Sequence, residues 1–133
     1  MMWMMLQQEK PMDFVISTGR QESIRKFIEL TAKELHWGNI IWEGEGVDEI
    51  GRREDTNAVV IKIDKRYFRP TEVANLIGDA KLAKDKLGWK PKITLEEIVA
   101  EMVKVDKEQA LKEKFLKESG FDFNSSNEQP PNF

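Results

Sequence analysis

Three short runs in this chain can make strands, and three is too few for the sheet that their order asks for. "DFVIST" at 13–18 is β-branched and aromatic and stops at a glycine, as a buried strand does. "NIIWEGEG" at 39–46 is a second short strand running into glycines. "AVVIKID" at 58–64 is a third, with Val59, Ile61 and Ile63 alternating against Val60 and Lys62, so that one face is buried. Helical patterns separate and follow these runs, giving the order β-α-β-β-α-α-α. The class is α/β, yet a sheet of three short strands leaves edges that need partners. The expectation is a portion of something larger.

The helical segments are marked by their ends. Ser23 is placed to cap a helix whose Ile24, Phe27, Ile28, Thr31 and Leu35 fall on one stripe. His36 closes it, where a cation suits the helix dipole. A short helix is expected at 70–77, with Pro70 in its first turn and Gly78 as its stop. Another is expected from an Asp79 cap to Leu87-Gly88. "WKPKIT" at 89–94 is extended, because a proline pushes the residue before it out of the α region. "TLEE" at 94–97 spells a capping box, opening a helix expected to bury Leu95, Ile98, Val99, Met102 and Val105. Interleaved Lys and Glu then give that helix a solvated face. "GVDEIGRREDTN" at 46–57 is expected to be a polar loop, and the tryptophans to be core, Trp89 included.

Composition narrows the chemistry. Across 133 residues the formal net charge is −3, with 34% charged and 40% apolar residues, which leaves no electrostatic footprint for nucleic acid. There is no cysteine and one histidine, His36, so thiolate metal sites, histidine clusters and a serine-protease triad cannot be assembled. "MMWMMLQQEKP" is too short for a membrane span or a signal core and reads as the end of a helix. The expectation is a cytoplasmic protein that binds neither membrane nor nucleic acid. No glycine-rich phosphate loop follows a strand. Tyr67, the only tyrosine, has Thr71 rather than lysine four residues on.

"RYFRPTEV" at 66–73 carries the one candidate site. Arg69 stands between a strand and an expected helix, outside the carboxyl end of the strand, where α/β folds bind ligands. A guanidinium can grip a phosphate through two hydrogen bonds, and Glu72 could accept from ribose hydroxyls. Spacing alone equally describes an i, i+3 surface ion pair that caps the turn.

Taken together, "MMWMMLQQEKPMDFVISTGRQESIRKFIELTAKEL", "WEGEGVDE" and "RYFRPTEVANLIGDAKLAKDKLGWKPKITLEEIVAEMV" resemble the C-terminal part of GDP-mannose 4,6-dehydratases. These are extended short-chain dehydrogenase/reductases. The resemblance runs over about residues 1–106, and "YFRPTEV", "LIGD" and "KLGWKP" in this order are its specific core. It implies the substrate-binding C-terminal lobe of a Rossmann-like fold, with the N-terminal cofactor lobe missing. In the family, that lobe holds NADP and the tyrosine-lysine pair. The intact enzyme oxidises GDP-mannose at C4, eliminates water across C5 and C6, and returns the hydride, giving GDP-4-keto-6-deoxy-D-mannose for GDP-fucose and related sugars. Matched onto this sequence, Arg69 is expected at the diphosphate and Glu72 at the nucleoside. Two departures are mild: "GDAKLAKDK" where the family more often has proline-threonine-lysine, and the free-form loop "IGRREDTN".

The implied organisation is a substrate-binding portion over 1–118 and a disordered tail over 119–133. No catalytic residue and no NADP binding are expected of this chain alone. Its partners would be GDP-mannose or GDP, a Rossmann lobe in cis or in trans, and a second copy in a homo-oligomer. The alternatives are an assembly module for a separately encoded NADP-binding half, an inactive remnant, or an interaction domain without nucleotide binding.

Overall fold

Three consecutive strands form the only sheet among the described residues. The computed structural model describes residues 1–73 and 75–121. β1 (Ile40–Glu43), β2 (Ile50–Arg53) and β3 (Val59–Lys62) run antiparallel in the order β1-β2-β3. Ile40 pairs with Arg53 and Glu43 with Ile50, while Gly51 opposes Ile61 before a bulge between Gly51 and Arg52. A short 3-10 turn, Gly46–Asp48, joins β1 to β2. The β2–β3 turn closes through Asn57, whose φ of 56° lies in the left-handed region that asparagine tolerates.

β2 therefore lies inside the stretch expected to be a polar loop. Its sequence, Ile-Gly-Arg-Arg, hides it, because two arginines replace the apolar alternation. Their charges are matched in the fold instead. Arg52 Nε donates to Glu43 Oε2 at 3.0 Å, and Arg53 is bonded by Asp55 and lies 4.7 Å over the Trp37 ring. Gly51 is buried at the sheet centre. A Cβ there would stand 3.0 Å from both Ile40 Cγ2 and Ile61 Cβ, so the flanking isoleucines occupy the space that a side chain would need.

α1 (Met2–Leu6) is a single short helix, and α2 (Ile24–Glu34) begins where expected, with Ser23 Oγ accepting from Lys26 N at 3.1 Å. α2 ends in paired bonds, His36 N to Lys33 O at 3.0 Å and Trp37 N to Ala32 O at 2.9 Å. That closure puts His36 in the left-handed region, φ 59°, a position usually given to glycine. Side chains tie α2 to the sheet: Trp42 Nε1 donates to Glu29 Oε1 at 3.3 Å, and Arg25 lies 5.4 Å over the Trp42 ring. Arg25 also pairs with Glu49, whose Oε1 is enclosed and meets the guanidinium as an ion pair rather than through an aligned hydrogen bond.

α3 (Lys81–Leu87) starts two residues after Asp79, which accepts from Lys81 N at 2.8 Å without being the cap itself. Gly88 ends it in the left-handed region at φ 65°. α4 (Leu95–Glu118) opens on the capping box: Thr94 Oγ1 accepts from Glu97 N at 3.2 Å and Glu97 Oε2 from Thr94 N at 2.7 Å. It packs against α2. Of its expected buried stripe, Val99 is enclosed and Leu95 half-buried, whereas Ile98, Met102 and Val105 are exposed. Gly120 closes α4, with Gly120 N bonding Lys117 O and Phe121 N bonding Leu116 O. So 119–121, the start of the tail expected over 119–133, belong to the helix cap, and 122–133 lie outside the described residues.

Two further expectations are corrected. Residues 13–18 are not a strand, and 70–73 and 75–77 are not helical. The two stretches instead run beside each other, with Ser17 Oγ donating to Gly78 O at 2.5 Å and Leu76 N donating to Gln21 Oε1 at 2.8 Å. A Cβ on Gly78 would come within 2.7 Å of Ser17 Cβ, which measures how close they approach. A strand needs a ladder and a helix needs a surface for its apolar stripe. Among the described residues neither is supplied: Val15, Ile16, Val73, Leu76 and Ile77 are all at least half exposed. The tryptophans are likewise not core, with Trp3 exposed and Trp37, Trp42 and Trp89 half-buried.

Candidate functional site

The chain leaves β3 through a turn held by Asp64. Asp64 O accepts from Tyr67 N at 3.0 Å, and the Asp64 carboxylate accepts from Arg66 N at 2.9 Å and from Arg66 Nη2 at 2.7 Å. The side-chain hydrogen bonds from Arg66 hold the Asp64 carboxyl below the usual carboxylate range, and the bond from the Arg66 amide adds to this. Arg66 is thereby spent on the turn. It also lies 5.4 Å over the exposed Tyr67 ring. Phe68 comes next and approaches Gly46 in the β1–β2 connection, where a Cβ would be 3.7 Å from its ring.

Arg69 and Glu72 follow this anchored turn, and the structure brings them together. Arg69 Nη1 stands 3.8 Å from Glu72 Oε1, with the side chains 78% and 66% exposed. This distance and exposure fit a loose, solvated ion pair, which contributes little to stability. It also leaves the guanidinium and the carboxylate free to turn toward a ligand. The helix expected to start at Pro70 is not there, so its amide groups add nothing to the positive potential. The chemistry available is electrostatic: one planar cation for a phosphate, and one acceptor for hydroxyls. No group of three or more acidic or histidine residues could hold a metal among the described residues. Among them, no helix is long and apolar enough to cross a membrane.

Comparison with known proteins decides the family. The family model for GDP-mannose 4,6 dehydratase matches residues 1–102. The chain belongs to the GDP-mannose 4,6-dehydratase family. The match takes in Arg69 and Glu72 and ends inside α4, leaving the last two-thirds of that helix beyond it. A GDP-mannose 4,6-dehydratase of Vibrio cholerae is 51% identical over 132 residues, covering 92% of this chain and 35% of that protein. One from Yersinia enterocolitica is 47% identical with the same coverage. The GDP-mannose 4,6 dehydratase of Homo sapiens is 48% identical over 108 residues, 80% of this chain and 28% of that protein. The chain spans about a third of the length of these relatives.

The arginine contacts on Trp37 and Trp42 were not visible as pairs in the sequence. Arg25 and Trp42 are seventeen positions apart, and Arg53 and Trp37 sixteen, spacings with no periodic signature. The α2–β1 connection brings the first pair together, and the pairing of β2 with β1 the second.

Proposed function

We propose that this chain is the nucleotide-sugar-binding portion of a GDP-mannose 4,6-dehydratase, contacting GDP through Arg69 and Glu72. The observation that carries the reading is the family match over "RYFRPTEV", joined to an exposed Arg69–Glu72 pair whose groups are not committed elsewhere. Arg69 would bind the diphosphate through its forked N–H groups, and Glu72 would accept from ribose hydroxyls. The hydride chemistry belongs to residues outside these 133, on an N-terminal NADP-binding Rossmann lobe. NADP, when bound there, would take and return the hydride.

Exposure supports the need for such a lobe. Leu76, Val73 and Ile77 contribute apolar area that water-facing loops rarely show.

Calorimetric titration with GDP tests the binding half. Wild type should give a saturable heat that Arg69→Ala removes, while Arg69→Lys, a point charge in place of a fork, restores it in part. Equal heats in wild type and Arg69→Ala would sink the assignment. For the catalytic half, the chain alone should form no 4-keto sugar from GDP-mannose and NADP. Mixing with a polypeptide corresponding to the remaining, N-terminal part of a relative should restore turnover. Turnover by the chain alone would refute the division of labour.

A further inference from the structure

A small cleft that Arg69 does not line collects positive charge with no carboxylate in its walls. Ser17 and Thr18 line one side, Lys81 and Lys84 of α3 a second, and Trp89 and Lys90 the third, around a volume of about 200 Å³. Gly88 creates the third wall: its left-handed turn sends the chain back past α3, so that Trp89 N bonds Ala83 O at 3.3 Å. The half-buried Trp89 gives the cleft an apolar flank.

The three lysines have no ion-pair partner among the described residues. Asp85, four residues on from Lys81, is not among the ion pairs, and the Asp79 carboxylate is used on the Lys81 amide. No carboxylate lines the cleft. Lys81 and Lys84 are neighbours on one helix face, where like charges repel. This concentration of cations stands in a chain whose net charge is −3. An anion in the cleft would relieve that repulsion.

The chemistry of the walls selects the anion. The Ser17 hydroxyl proton is given to Gly78 O and that of Thr18 to Arg20 O, so the ammonium groups supply the donors. Three ammonium groups suit an acceptor-only group with several oxygens and more than one charge. The volume is below the roughly 300 Å³ at which sites for drug-sized molecules begin, which fits one phosphoryl group and not a whole nucleotide. We propose that the cleft formed by Lys81, Lys84, Lys90 and Trp89 binds a phosphoryl group, as inorganic phosphate or on a small phosphomonoester, separately from the Arg69–Glu72 site.

The test is a titration of the 133-residue chain with inorganic phosphate, ionic strength held constant with sodium chloride. The readout is the indole N–H resonance of Trp89, identified by its loss in Trp89→Phe. The expected result is a saturable shift, weakened about tenfold or more in Lys84→Gln/Lys90→Gln, retained in Lys84→Arg/Lys90→Arg, and unaltered in Arg69→Ala. Amide spectra of the variants check that these exposed substitutions leave the fold intact. A parallel titration with a hexose phosphate separates the two sources: tighter saturation assigns the site to a phosphomonoester, equal or weaker saturation to free phosphate. A linear shift matched by chloride alone overturns the proposal. So does a saturable shift that survives the double glutamine variant, or one that disappears with Arg69→Ala.

Discussion

The α2–sheet–α4 part and the neighbouring irregular segments at 13–21 and at 70–73 and 75–78 contain similar apolar residues but treat them differently. In the first, Ala32, Ile40 and Val99 are enclosed, backbone groups are paired in ladders and helices, and even the arginines have aromatic or acidic partners. In the second, Val15, Ile16, Leu76 and Ile77 face outward and the segments are joined by single hydrogen bonds. Secondary structure forms where a segment can close its own hydrogen bonds and cover its own stripe. Where covering must come from elsewhere, the same kind of sequence stays irregular.

Placing one charge in each region gives the largest contrast. Val99→Asp puts an unpartnered carboxylate at a site that is 1% exposed, and should cost more than about 3 kcal/mol in urea unfolding. Leu76→Asp, at a site 79% exposed, should change the stability of this chain by less than about 0.5 kcal/mol, while weakening association with the N-terminal part of a relative. If Leu76→Asp were as costly as Val99→Asp, the two regions would not differ as described.

Gly51→Ala probes the sheet alone. The added methyl meets Ile40 and Ile61 at 3.0 Å, and the expected loss is about 1–3 kcal/mol by denaturant midpoint.

Thr94→Ala removes the α4 cap at an expected cost of about 1 kcal/mol in thermal unfolding. Its acidic partner adds a pH signature. Hydrogen bonds from the Thr94 amide and hydroxyl lower the Glu97 pKa in the folded state. The stabilisation is therefore fully present above the unfolded value of about 4.3 and is lost as pH falls through the lower folded value. A Glu97→Gln variant should show a flatter melting temperature over that acid window than wild type.

One small effect has the opposite sign. His36→Gly frees a left-handed position from its Cβ and should stabilise the chain by roughly 0.5 kcal/mol, measured by the shift in melting temperature.

Much of the first region was legible in sequence, because its signals are local. Ser23, the Thr94–Glu97 box and Gly88 each act within a few residues, so spacing alone places them. β2 was not legible. Its identity depends on Gly51 being shielded by two neighbouring strands and on charges matched across the sheet. Residues 13–18, 70–73 and 75–77 were misread for a related reason: "DFVIST" has strand composition and Val73, Leu76 and Ile77 have helical spacing, but pattern does not supply a partner. The Arg69–Glu72 pairing was legible as an i, i+3 spacing, and its setting was not. Arg69 and Glu72 do meet, although on a loop and not on the first turn of a helix.

The strands of the sheet follow one another directly, each folding back on its predecessor through a short turn. Contacts so near in sequence need little loop closure, and closure is what slows folding. The meander can therefore take shape early and without help. The segments bearing Arg69 and the apolar residues around Leu76 have no such local ladder and would settle later.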